Sequence, residues 1–282
     1  MLLVCDQFES LHDDTVVTVM VYMCGSDLES ELGSATKDLE EMLAADLSEQ
    51  VNVIIETGGT RQWKNDVIST ETNQRYLIEN GELVLLDENL GLKDMAYPST
   101  LSDFISYAAT HFMADRYVLI LWDHGGGALD GFAVDENFDK VPMKIYELET
   151  ALEDGGVYFD FIGFDACLMS TIEVGLVLDD YADYMIASEE TEPAGGWYYT
   201  DWLTTLSKNP SIETLDLGKQ IVDDYINRSI VESHGMSATL AVGDLSKIGS
   251  VYESFCMLLE EANLVLNNQN FELISKGRSE SK

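Results

Sequence analysis

Every residue of Thr15-Val-Val-Thr-Val-Met-Val-Tyr-Met23 is β-branched, aromatic or otherwise apolar. A half-exposed strand alternates polar and apolar side chains; a continuous run of this kind suits a strand buried on both faces, as in a parallel sheet. Gly25-Ser26-Asp27 interrupts the run and offers an N-cap, with Asp27 suited to that place, for a helix over roughly Leu28 to Ala45. A second buried run, Val51-Asn-Val-Ile-Ile55, ends at Gly58-Gly59 and completes a strand, helix, strand unit.

From Trp63 to Leu86 the pattern changes to alternating strands, and Asn80-Gly81 between Tyr76-Leu-Ile and Leu83-Val-Leu-Leu predicts a type I′ hairpin inserted into the parallel array. Leu101, Ile105, Ala108 and Phe112 recur at helical spacing within a helix from about Thr100 to Ala114. It leads into the apolar run Tyr117-Val-Leu-Ile-Leu-Trp-Asp-His124, and a short helix near Glu147 to Glu153 precedes a similar run, Phe159 to Cys167. Leu168, Ile172 and Leu176 mark a helix expected to begin directly after Cys167. Tyr184 to Ser188 and Ala238 to Val242 read as short strands, and Leu215 to Ser229 and Leu245 to about Leu266 as helices. Strands alternating with helices over nearly the whole length imply an α/β fold with a doubly wound, mostly parallel sheet.

The chain has 282 residues, enough to bury a sizeable core. Its 15 basic and 52 acidic residues give a formal charge of -37, which argues against nucleic acid and anionic membrane as partners, since both need a basic footprint. Most of these acids are expected to serve solubility. Cys5, Cys24, Cys167 and Cys256 form no close pair, so neither a disulfide framework nor a zinc knuckle is suggested. No apolar stretch is long enough to span a bilayer, and Met1-Leu-Leu-Val-Cys5 is too short for a signal sequence core. Two locations stay open: the cytoplasm, or secretion with a leader outside this chain.

Cys167 and His124 are the candidate reactive pair. Each ends a buried run, and neighbouring parallel strands bring such ends together at their carboxyl edge. The imidazole can take the thiol proton, and the thiolate can attack a carbonyl. The helix expected after Cys167 favours the thiolate through its N-terminal dipole, and Asp165 shares a strand side with the cysteine. Against this stands the ordinary buried structural cysteine. Of the other histidines, His12 and His111 have no special setting, and His234 before Gly235 is a weaker base. His124 alone precedes three glycines, which let a substrate carbonyl approach backbone N–H groups; the Gly125 and Cys167 amides are the oxyanion-hole candidates. A metal on Asp123 and His124 lacks a third ligand at recognisable spacing.

Four motifs in order, Val19 to Glu29, Ile120-Leu-Trp-Asp-His-Gly-Gly-Gly127, Ile162-Gly-Phe-Asp-Ala-Cys-Leu-Met169 and Ala187-Ser-Glu-Glu-Thr-Glu-Pro193 with Gly196-Trp197, resemble the clostripain-like cysteine peptidases over about Thr15 to Leu245. Those enzymes share the caspase-like fold with gingipains, legumains and separase. The resemblance implies a caspase-like α/β/α sandwich from Met1 to Leu245 with a C-terminal helical segment from Ser246 to Lys282, open to continuing further. It implies an endopeptidase that cleaves after Arg or Lys, with peptides and proteins as partners and His124 and Cys167 as the dyad. Asp165 maps onto the residue that recognises the basic P1 side chain, for which a carboxylate is chemically apt. Ser188, Glu189 and Trp197 map onto the segment that pairs with substrate main chain and walls the S1 pocket. Relatives often carry a further acid just before the Gly-Trp pair; Gly195 stands there, leaving less negative charge on that loop.

Family members are often activated by cleavage between the dyad residues, where this chain offers Lys140, after the acidic and polar stretch Asp135 to Asp139, and Lys144. No cofactor is required by the chemistry; calcium is admissible, although no EF-hand loop is present. A secreted or cell-surface location of bacterial type fits the resemblance. Two rivals remain at this stage: a caspase- or legumain-type preference for Asp or Asn, and a binding domain that kept the fold without turnover.

Overall fold

The computed structural model describes residues 14–232, 238–266 and 271–280. Eight strands form one sheet: β1 (Val17–Cys24), β2 (Val51–Gly58), β3 (Gln74–Glu79), β4 (Glu82–Asp87), β5 (Arg116–Trp122), β6 (Phe159–Asp165), β7 (Ala182–Ala187) and β8 (Ala241–Asp244). Their spatial order is β4-β3-β2-β1-β5-β6-β7-β8. β2, β1, β5, β6 and β7 are parallel, whereas β3, β4 and β8 add antiparallel edges. The chain winds outward from β1 to one side through β2 and to the other through β5, so β1 and β5 flank the switch point of a doubly wound sheet.

The buried run that opens the chain shows why the sheet has two covered faces. Met20, Tyr22 and Cys24 join one core with Leu101 and Phe104 of the helix Pro98–His111 and Leu148 and Leu152 of the helix Ile145–Gly155. Val17, Val19, Val21 and Met23 join the other, with Leu39 and Met42 of the helix Ser34–Leu43, Leu203 of the helix Tyr199–Lys208, and Ile221 of the helix Thr214–Glu232. Successive side chains point to opposite faces, so an all-apolar strand needs a helical layer on each. The result is the α/β/α sandwich with a mostly parallel sheet that the sequence implied.

Most elements fall where the pattern places them. The hairpin turns through Asn80 and Gly81, both at positive φ (53° and 75°), as a type I′ turn demands. Three expectations are corrected. The single helix over Leu28 to Ala45 is two, Ser26–Ser30 and Ser34–Leu43, separated at Gly33 in the left-handed region. Trp63 to Asn73 is irregular, so the alternation there marks loop side chains that fold back, such as Trp63 and Ile68, rather than a strand. The helix after Cys167 starts at Ile172, where Thr171 caps it by accepting from the Val174 N–H at 3.2 Å. Beyond β8, the helix Ile248–Val265 lays Ile248 against Gly175 and leaves Phe255, Leu258 and Leu259 exposed.

On β6, Gly163 faces the second core, where the Trp197 indole fills the room that a side chain would take. A Cβ at Gly163 would lie 2.6 Å from the indole and 2.9 Å from Ile120 Cδ1. Both neighbours are buried, so neither can swing into solvent. Gly163→Ala is therefore expected to destabilise the fold by about 1–3 kcal/mol through overpacking. A lower urea midpoint with unchanged slope would show it; an unchanged midpoint would mean that the indole can shift freely.

Candidate active site

Three loops converge at the carboxyl ends of β1, β5 and β6. Register aligns the ends: Met23 pairs with Trp122, and Trp122 pairs with Asp165. Asp27 follows β1, His124 follows β5 and Cys167 follows β6, and a cleft of about 140 Å³ opens among them with His124, Asp165 and Cys167 in its wall.

Asp27 does not cap a helix. The capping position of Ser26–Ser30 is Gly25, no side chain caps it, and the Asp27 carboxylate instead meets His124 Nε2 at 2.7 Å. Both side chains are about two-fifths exposed. Burial pushes the Asp27 carboxyl upward, but the hydrogen bond and charge of His124, with a smaller effect of the Lys140 ammonium, bring it below its ordinary range. With Nε2–H donated to Asp27, Nδ1 is the ring nitrogen left to accept a proton. By sequence Asp27 matches a position of the clostripain-like family, yet an N-cap after Gly25 accounts for it fully. A carboxylate three positions after a strand end was the available signal. Asp123, next to the histidine, is buried; desolvation raises it to about 6, while Oδ2 accepts from the Val134 N–H.

Gly125 lies directly on the Cys167 carbonyl: a Cβ at Gly125 would overlap that oxygen. Leu168, just after the cysteine, has φ +66, a region that costs a non-glycine residue about 1–2 kcal/mol. Hydrogen bonds to the following loop hold it there, from Leu168 N–H to the Glu190 carbonyl (3.0 Å) and from Ser170 N–H to the Ser188 carbonyl (2.9 Å). The sulfur accepts from the Glu192 N–H at 3.2 Å, and the thiol faces the Glu192 carbonyl at 3.9 Å. Neither the Gly125 nor the Cys167 N–H donates to another group among the described residues. The helix dipole invoked from sequence is displaced, since residues 166–171 form a turn before the helix begins.

Asp165 ends β6 on the face of the second core, 5% exposed. It accepts from the Trp197 N–H at 3.2 Å and the Tyr199 hydroxyl at 2.8 Å. Desolvation raises its carboxyl to about 6, partly offset by those two donors. Asp38, from the helix Ser34–Leu43, is pushed up by burial and by the Asp165 charge, and accepts from Trp122 Nε1 at 2.7 Å. The loop from Ser188 to Trp197 walls the same cleft through Glu192, Pro193, Ala194 and Gly196. Ser188 is buried and shapes the loop through the Glu190 carbonyl and the Thr239 hydroxyl, Glu189 points to solvent, and the Trp197 ring packs in the core while its N–H serves Asp165. The side chain that the sequence reading missed is Glu192, which lines the cleft beside Asp165.

Lys140 is exposed, with φ +55. Lys144 is committed: its backbone N–H donates to Glu147 Oε2 at 2.8 Å, and its ammonium meets the Leu129 and Asp130 carbonyls, both at 3.1 Å. Among the described residues no group of three or more His, Cys, Asp or Glu could hold a metal ion. In the stretch from Asp135, Asp135 accepts from the Met95 and Asn137 N–H groups and Glu136 from the Arg61 N–H. His111 stacks on Tyr107 at the end of its helix, before β5, whereas these loops follow the strands; His12 and His234 lie outside the described residues.

A thiol and an imidazole at adjacent strand ends of a doubly wound α/β/α sandwich define the architecture of the caspase-like cysteine hydrolases. The clostripain family model matches residues 21–279, and the chain belongs to that family. It is 30% identical over 186 residues to clostripain from Hathewaya histolytica, an alignment that covers 56% of this chain and 35% of that protein. The chain thus spans about a third of that relative's length. Its fold is similar to a secreted C11 cysteine protease from Bacteroides thetaiotaomicron solved with an irreversible peptide inhibitor, with TM-score 0.67, 21% identity, and 83% and 67% of the two chains covered. An inactive zymogen C11 protease from Parabacteroides distasonis matches with TM-score 0.64 and 23% identity, over 84% and 64% of the chains.

The raised Asp165 carboxyl has a stability consequence. A folded-state value near 6 against an ordinary value near 4 means that the folded chain holds this proton more tightly than the unfolded chain does. Its contribution to stability is greatest at low pH and is lost as pH rises through about 6. Asp165→Asn keeps an acceptor without the charge. Relative to the parent, this variant is expected to gain on the order of 2–3 kcal/mol more at pH 8 than at pH 4. Urea unfolding of both proteins at the two pH values measures this, and a difference that does not vary with pH would contradict it.

Proposed function

We propose that the chain is a cysteine endopeptidase that cleaves after Arg or Lys. The observation that supports this best is that Cys167, His124 and the buried Asp165 all line one cleft. His124 Nδ1 takes the thiol proton, and the thiolate attacks the substrate carbonyl carbon. The Gly125 and Cys167 N–H groups receive the oxyanion; one such donor is worth roughly a hundred- to a thousandfold in rate. The imidazolium then protonates the leaving amine, and water, deprotonated by the same nitrogen, hydrolyses the thioester. Asp27 holds the ring in the tautomer that leaves Nδ1 unprotonated. Asp165 selects a cationic P1 side chain, and Ser188 and Trp197 act through the shape of the loop that walls the pocket.

Preference for Asp or Asn is disfavoured, since no Lys or Arg lines this cleft. A binding domain without turnover is disfavoured by the presence of both reactive groups and two uncommitted N–H donors beside them. A working place outside the cytoplasm is part of the proposal. It is supported by the Bacteroides thetaiotaomicron relative, which is described as secreted. No helix among the described residues is long and apolar enough to cross a membrane.

With reporters carrying Arg, Lys, Asp or Asn at P1, turnover is expected for the first two. Cys167→Ala is expected to abolish it with the fold retained, and Asp27→Asn to lower kcat by about 10- to 100-fold with smaller change in KM. Full activity of Cys167→Ala would sink the mechanism.

Self-processing after Lys140 belongs to the same reading. Its exposed backbone at positive φ can be drawn into a cleft, and its ammonium lies within electrostatic reach of Asp27, whereas Lys144 is held by three polar contacts. Incubated active protein is expected to acquire a new N-terminus at Val141. Lys144→Ala should leave that cut in place, and Lys140→Ala and Cys167→Ala should stay whole. A cut at Ile145 alone would reverse the assignment.

A further inference from the structure

The cleft wall holds more buried carboxyl than one P1-recognising residue accounts for. Glu192 stands three positions before Gly195, the place where relatives often carry an acid, and it lines the cleft beside Asp165. Both of its oxygens are sealed from solvent, and its carboxyl meets that of Asp165, an acid against an acid. Two carboxyls withdrawn from water against each other are costly in any ordinary structural role. Asp165, by contrast, is served by Trp197 and Tyr199, and Asp38 by Trp122. Lys37 and Arg228 line a neighbouring groove that Glu192 also borders, and Arg228 pairs with Glu41 at 3.3 Å.

We propose that Glu192 is the second carboxylate of the S1 pocket, meeting the P1 guanidinium or ammonium from the loop while Asp165 meets it from the end of β6, and so supplying the charge that Gly195 lacks. This rests on the basic-P1 reading and names a residue that the reading does not need. Burial and the facing Asp165 charge push the Glu192 carboxyl well up, so the two acids hold a proton between them unless a cation stands there instead. A guanidinium bridges two carboxylates through its fork of N–H donors, and an ammonium through separate ones. The loop is braced for this: Ser34 Oγ donates to the Ala194 carbonyl at 2.9 Å, and the Trp197 N–H is fixed on Asp165. The link from Glu192 to the sulfur is made by its backbone N–H, so exchanging the side chain leaves that bond in place.

Glu192→Gln removes the charge and keeps the size. The expected result is a fall of about 10- to 100-fold in kcat/KM for both Arg and Lys reporters, carried by KM, with kcat within about threefold of the parent. Alkylation of Cys167 by iodoacetamide, which needs no S1 contact, should proceed at the parental rate and also reports an intact site. Glu192→Ala should raise KM at least as far. An unchanged KM in both variants, or a loss confined to kcat, overturns the proposal. If the parent turns over neither basic reporter, the basic-P1 reading falls and this inference with it. A parent that cleaves both, beside indifferent variants, overturns the inference alone.

Discussion

The site depends on one close approach, the Gly125 backbone seated on the Cys167 carbonyl. That contact fixes the distance between the loop after β5 and the loop after β6, and therefore holds the loops that carry His124 and Cys167, which no secondary structure joins directly. It tolerates no Cβ. Neighbouring parallel strands bring loop ends near each other, but register alone leaves ångströms of freedom. The glycine contact, with the Leu168 and Ser170 bonds to the next loop, removes it. Preorganisation of this kind is what makes electrostatic stabilisation of a transition state effective.

Strain is concentrated in the same loops. Ser26, just before Asp27, Ala133, whose N–H donates to the His124 carbonyl, and Leu168, just after Cys167, all have positive φ without being glycine. Each costs on the order of 1–2 kcal/mol. The two-sided core sustains them, because β1, β5 and β6 are clamped between helical layers and cannot shift to relax the loops. Thus the buried run at the start of the chain and the orientation of a catalytic-type side chain far from it are connected through the rigidity of the sheet.

Much of this was legible in the sequence, for identifiable reasons. A run without polar alternation has one stable setting, and five such runs separated by helical spacing leave little choice of architecture. Asn80-Gly81 encoded its turn because few residue pairs accept two positive φ values. His124 and Cys167 were legible because each ends such a run. What escaped depends on side chains crossing between loops. Asp27 read as a cap, since local pattern cannot show that an imidazole from a strand far along the chain will take its carboxylate. The helix expected after Cys167 is a turn first, because the loop bonds of Leu168 and Ser170 compete successfully with helical ones.

Glu192 shows the limit most clearly. Compared position by position, Gly195 reads as lost charge, yet a pocket has no fixed sequence position. The chain between Ser188 and Trp197 is pinned at both ends, through the Ser188 hydroxyl and through the Trp197 N–H on Asp165. A pinned loop can deliver a side chain from more than one position to the same point. With Gly196 at φ +58 directing the chain past Asp165, the longer reach of a glutamate three residues earlier brings a carboxyl where a shorter acid beside the Gly-Trp pair could otherwise stand. In a protein of formal charge -37 another acid is easily taken for a solubilising one. What distinguishes Glu192 is that its carboxyl is sealed from water against a second buried acid, Asp165, and a cationic side chain entering the cleft would relieve both.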